Sequence, residues 1–121
     1  MYRKTMKQEK ENLANGIITK ELIYACLMTC EQVISKNAYL EKKWQNYHDD
    51  FVGSEGDNYK ADRLTWMDYR KKLQSLLLTK HSMREIIQNT KSTKVYTDTA
   101  PKTMVKTVIN LIDTGKYVLL L

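Results

Sequence analysis

Chemistry in this chain could start from only a few places. His48 stands beside Asp49 and Asp50, residue types that together can hold a divalent cation or a general base. Consecutive helical positions point in different directions, so the three do not easily converge on one ion, and the expectation is a solvated helix end before an acidic loop. Cys26 and Cys30 would share one helical face about a turn apart, which a disulfide does not bridge, and no second Cys or His pair completes a zinc set. They read as small buried apolar residues, and without an adjacent base neither is a credible nucleophile. Gly53 and Gly56 are embedded among Glu55 and Asp57, which repel phosphate rather than cradle it. The expectation is a non-enzymatic protein with no metal and no cofactor.

Charge carries more information. The chain has a net charge of +6, and the segment from Arg63 to Lys91 alone contains seven basic residues against two acidic ones, Asp68 and Glu85. Arg63, Arg70, Lys71, Lys72, Lys80 and Arg84 are the cations singled out there, and Tyr59 and Tyr69 interleave with them. Lys and Arg neutralise phosphates and release counterions, while exposed aromatic rings stack on unpaired bases, so nucleic acid is the natural partner of such a surface. The alternative is an ordinary solvated helix face. Reversing Arg70, Lys71 and Lys72 to Glu is expected to abolish binding if the first holds. His48, Asp49, Asp50, Glu55 and Asp57 form an opposing acidic corner, a candidate docking tip for a protein, set among aromatic residues that otherwise serve the core.

These groups must be positioned by helices. Hydrophobic residues are 42% and charged residues 28% of the chain, with one Pro and four Gly, a globular composition with few breakers that disfavours an all-β fold. From Thr19 to Phe51, Ile23, Cys26, Cys30, Val33, Asn37, Leu40, Trp44, Tyr47 and Phe51 recur at alternating steps of three and four, the spacing of one helical seam. Thr19 is placed as its N-cap, with Ile18 and Ile23 as a hydrophobic staple, and Asn37 as the polar seam residue that fixes register. Residues 2–15 predict a short helix closed by Asn15-Gly16. The stretch from Gly53 to Asn58 predicts a loop, and Tyr59 to Asn89 a second long helix whose seam runs through Trp66, Tyr69, Leu73, Leu76, Lys80, Met83 and Ile87. Thr90 to Thr99 reads as loop or short strand. Thr99 as N-cap and Pro101 just inside predict a third helix, buried through Met104, Val105, Val108, Ile109 and Ile112 and stopped by Gly115. The apolar end from Lys116 to Leu121 must pack as a strand beside Val95–Thr97, in a groove of the hairpin, or against another subunit.

The fold expectation is one all-α domain over residues 1–121: a long antiparallel helical hairpin crossed by an N-terminal and a C-terminal helix, with a minor two-stranded β element. No apolar run approaches the ~20 residues of a membrane span, and the polar N-terminus has no apolar stretch behind it, so a soluble, unexported, cytoplasmic protein with no membrane partner is expected. The functional expectation is a protein that binds nucleic acid or a nucleic-acid-handling complex. The rival is a small inhibitor or adaptor of the kind phages direct against host nucleases, an anti-CRISPR or other anti-defence protein, docking on a nucleoprotein enzyme. A third is a homo-oligomer built through the helical seam or through Val118, Leu119, Leu120 and Leu121.

Overall fold

The computed structural model describes residues 6–47, 54–92 and 100–121. In chain order these form α1 (Met6–Ala14), β1 (Ile17–Thr19), α2 (Lys20–Tyr47), α3 (Ser54–Leu77), α4 (Met83–Ser92), α5 (Lys102–Thr114) and β2 (Val118–Leu120). The protein is all-α with one small sheet. α2 and α3 run antiparallel, as the order of their cross-links shows: Glu41 pairs with Arg63, and the earlier Glu31 with the later Arg70, both at 2.9 Å.

α2 is the central element. From Leu22 to Leu27 every residue is buried, which a helix achieves only when it is covered on more than one side. α2 meets β1, α3, α4 and α5; beyond Leu27 its buried positions are Thr29, Cys30, Val33 and Asn37, of which the last three follow the seam expected against α3. Each fully buried Leu or Ile, such as Leu22, Ile23, Leu27, Leu73, Leu77 and Ile86, contributes roughly 1.5–3 kcal/mol of transfer free energy to the core.

The start of α2 is built by its own residues. Thr19 Oγ1 accepts the N–H of Leu22 at 3.1 Å, satisfying one of the amides that a helix start leaves unpaired. The same hydroxyl donates its proton between the two carboxylate oxygens of Glu9, at 3.1 and 3.0 Å, where Glu9 on α1 has no solvent exposure. One side chain therefore caps α2 and ties α1 to it. Ile18 and Ile23, before and inside the cap, are both fully buried, as a staple requires.

Three expectations are corrected. Ser54 to Asn58 belongs to α3 instead of a loop: Ser, Glu and Asp suit a first helical turn, where the dipole favours negative charge, and this outweighs the single Gly56. The second helix is not continuous to Asn89. It ends at Leu77, and α4 restarts at Met83 behind Ser82, whose Oγ accepts the Glu85 N–H at 3.2 Å and donates to Glu85 Oε1 at 3.1 Å. This Ser-x-x-Glu arrangement is a helix start. The Asn37 side chain, in the seam, makes no hydrogen bond across the hairpin among the described residues, where the polar cross-links are the two ion pairs.

The segment after α5 returns to the start of α2. β2 pairs with β1 in parallel, Ile17 opposite Val118, Ile18 opposite Leu119 and Thr19 opposite Leu120. The partner of the apolar terminus is thus Ile17–Thr19; Val95–Thr97, the partner expected from sequence, lies outside the described residues. Gly16, at φ +71°, turns the chain into β1, and its carbonyl accepts the Val118 N–H at 2.7 Å. A side chain there would meet the Lys116 carbonyl at 3.1 Å, so glycine serves both the left-handed backbone and the close approach of β2. Pro101, at φ −59° and ψ 148°, is itself the N-cap of α5, so the helix starts two residues later than a cap at Thr99, which lies outside the described residues, would place it; the Pro101 carbonyl accepts from Met104 and Val105. Thr29 on α2 donates to the Ala100 carbonyl at 2.7 Å and fixes the entry to α5. Gly115, at φ +69°, closes α5 with its N–H on the Ile112 carbonyl.

Candidate binding surfaces

The helical period of α3 sorts the basic residues by where they point. Trp66, Leu73, Leu76 and Leu77 are buried and mark the inward face. Arg63 and Arg70, seven residues apart, lie on the flank towards α2, where Arg63 Nε donates to Glu41 and Arg70 Nη1 to Glu31, each at 2.9 Å. Lys72 lies on the opposite flank, with its ammonium 2.9 Å from Asp113 on α5 and 3.3 Å from Asp68. The Asp113 hydrogen bond is the largest cause of its raised pKa. These three cations are already partly neutralised by carboxylates and hold helices together. Lys71, by contrast, stands opposite the core face, exposed and with no ion pair among the described residues. Lys80 in the turn between α3 and α4, Arg84 in the first turn of α4, and Lys91 in its last turn are likewise exposed and unpaired among the described residues.

The two tyrosines divide differently from the sequence expectation. Tyr69 is half-buried and packs edge-on against Trp66, with ring centroids 5.1 Å apart and planes at 70°. It belongs to the margin of the core, and its ring is engaged by Trp66 instead of standing free for a base. Tyr59 is half-buried near the start of α3. Of the acidic corner, His48, Asp49 and Asp50 lie outside the described residues, and Glu55 and Asp57 fall within α3.

Two apolar features were missed by sequence. Leu64, 50% exposed, lies two turns before Lys71 on the outer side of α3, and Leu78, 46% exposed, is the first residue past the end of that helix. Met83 and Ile87, assigned to the seam, are 40% and 45% exposed. The break at residues 78–82 changes the phase of α4, so that Ile86 and Thr90 turn inward in their place. The released pair borders a groove of about 520 Å³ between α2, α3 and α4, which Met28 and Gln74 also line. The signal that would have found it is Ser82-x-x-Glu85, since a helix start there resets the period. A second groove, of about 550 Å³, lies between α1 and α5 beside Leu13 and Met104.

The described cysteines and His81 are engaged in the core and in a helix cap. Cys26 and Cys30 are free thiols with no exposure. Burial, reinforced by the neighbouring Cys30 and Glu9, raises the Cys26 pKa far above the ordinary thiol range, and burial with Glu31 pushes Cys30 up to about 12. Both remain protonated thiols at neutral pH, and a thiol attacks as its thiolate. His81 Nδ1 lies 3.4 Å from Glu85, whose carboxyl is held below its usual range first by His81 and then by Ser82. That cluster is the cap of α4. Among the described residues no three His, Cys, Asp or Glu gather as a metal site, and no helix is long and apolar enough to cross a membrane. Comparison with protein families, with curated proteins and with solved structures finds no match for this chain.

Proposed function

We propose that this is a non-enzymatic binding protein that acts on nucleic acid or on a complex that handles nucleic acid. The observation that carries the reading is the set of exposed cations Lys71, Lys80, Arg84 and Lys91 along α3, the turn after it and α4, without ion pairs among the described residues, on a chain of net charge +6. With Tyr69 occupied by Trp66, the contact is to phosphate and not by stacking, so it discriminates little between sequences. Three or four phosphate contacts on a duplex predict a loss of affinity of about 40- to 150-fold when salt rises fourfold. Anisotropy titration of a labelled duplex across that range checks it; a salt-independent affinity would remove the phosphate contact from the account.

The inhibitor or adaptor reading is favoured by a different observation. The exposed Leu64 on α3 and Leu78 just past its end offer apolar area that a phosphate backbone does not use and a protein surface does. In that reading the protein occupies a nucleoprotein enzyme, with cations meeting its nucleic-acid channel and leucines meeting its protein. For the oligomer reading, the α2 seam is filled by α3 of the same chain, which leaves Val118 and Leu120, 60% and 53% exposed on β2, as the apolar surface at the chain end.

A further inference from the structure

The groove between α2, α3 and α4 has the composition of a peptide-docking site and goes beyond the phosphate contacts. Met28 from α2 and Met83 and Ile87 from α4 give it an apolar lining. Met83 and Ile87 are four apart on α4 and therefore sit one above the other, matching the spacing at which a partner helix presents its anchors. Methionine is unbranched and adapts to the shape of what it covers, a property of surfaces that bind amphipathic helices.

The polar groups of the groove decide what kind of segment fits. Glu31 is its carboxylate, and it is held by Arg70 at 2.9 Å. On the neighbouring turn, Glu85 is held by Ser82 and His81. Lys91, at the end of the groove, has no ion pair among the described residues, and neither has Arg84 beside Met83. The half-buried Gln74 amide in the wall makes no hydrogen bond among the described residues and is open to one from an incoming chain. The charge left uncompensated is thus wholly positive. A second copy of this chain would bring the same cations and a net charge of +6 to the contact, and a phosphate backbone has no complement to the methionines and Ile87.

From this geometry we infer that the groove binds an acidic amphipathic helix of a partner protein, with apolar side chains on Met28, Met83 and Ile87 and carboxylates facing Lys91. Labelling the methionine ε-methyl groups with ¹³C provides reporters at the site, with Met104 on α5 as an internal control outside its lining. The probes are a helical peptide with Leu at i, i+3, i+4 and i+7 and Glu elsewhere, its counterpart with Lys in place of Glu, and a single-stranded oligonucleotide. The acidic peptide should shift the Met28 and Met83 methyls and leave Met104 in place. Ile87→Glu, at an exposed position that does not threaten folding, should weaken that binding at least about tenfold, and Lys91→Glu should remove the preference for the acidic over the basic peptide. No shift with the acidic peptide, equal shifts with both peptides, or movement of Met83 by the oligonucleotide alone would each overturn the assignment. Lys91 and Arg84 also belong to the proposed phosphate surface, so the two readings are separated by Ile87→Glu, which should weaken the acidic peptide and leave duplex affinity unchanged, and by Lys71→Glu with Lys80→Glu, which should do the reverse.

Discussion

Thr19→Val should destabilise the protein by about 3 kcal/mol, while Thr19→Ser should cost less than about 1 kcal/mol. Val keeps the shape and the β-branching that suit the last residue of β1, so the difference isolates the hydroxyl. That hydroxyl has two tasks. It accepts the Leu22 N–H at the start of α2, a cap whose loss costs typically ~1 kcal/mol. It also donates to the Glu9 carboxylate in a site without solvent exposure, where losing a hydrogen bond to a charged group costs roughly 1.5–3 kcal/mol. For a chain of this length the midpoint of thermal unfolding should fall by roughly 10 °C. Equal midpoints for the Val and Ser variants would show that Glu9 and the helix start do not rely on Thr19.

The largest effect on binding is expected from Lys71→Glu, Lys80→Glu and Arg84→Glu combined. All three side chains are exposed and make no ion pair among the described residues, so the fold loses nothing with them, whereas phosphate loses three contacts and gains three repulsions. Affinity for a duplex should drop at least about a hundredfold, with the unfolding midpoint essentially unchanged. Arg63→Glu with Arg70→Glu should behave in the opposite way. Those cations hold Glu41 and Glu31 across the hairpin, so their reversal sets like charges against each other, lowering stability first and binding less. Parallel melting curves and anisotropy titrations of the two variants check both halves. If the Arg63/Arg70 variant lost binding and kept its stability, the division of the basic residues would be wrong.

Much of the hairpin was legible because its signals are local. Thr19 with Ile18 and Ile23 announces a helix start, and Ile23, Cys26, Cys30 and Val33 repeat at the period of a buried face, which is where the structure buries them. Gly115 ends a helix in the left-handed conformation for the reason glycine usually does. What failed was the second helix beyond Leu77. The intervals through Leu76, Lys80, Met83 and Ile87 run on through the break, so periodicity alone could not detect a change of phase, and only Ser82-x-x-Glu85 marked it. The pairing of β2 with β1 could not be read at all, since three apolar residues at the end of the chain fit any open edge. The site was half legible. Sequence located the basic segment but not which cations would be claimed by Glu31, Glu41 and Asp113, because those partners come from α2 and α5 and only the packing of the helices brings them within 2.9 Å.

Affinity purification from the protein's own host cells decides whether these cations carry the binding, comparing the wild type with the Lys71/Lys80/Arg84 charge-reversed variant, each with and without nuclease. The wild type should retain nucleic acid, or a nucleic-acid-handling complex, that the variant does not. A single stoichiometric protein kept after nuclease treatment would place the contact on the complex. Recovery of the same material by both proteins, or of nothing by either, would contradict a binding role for these cations.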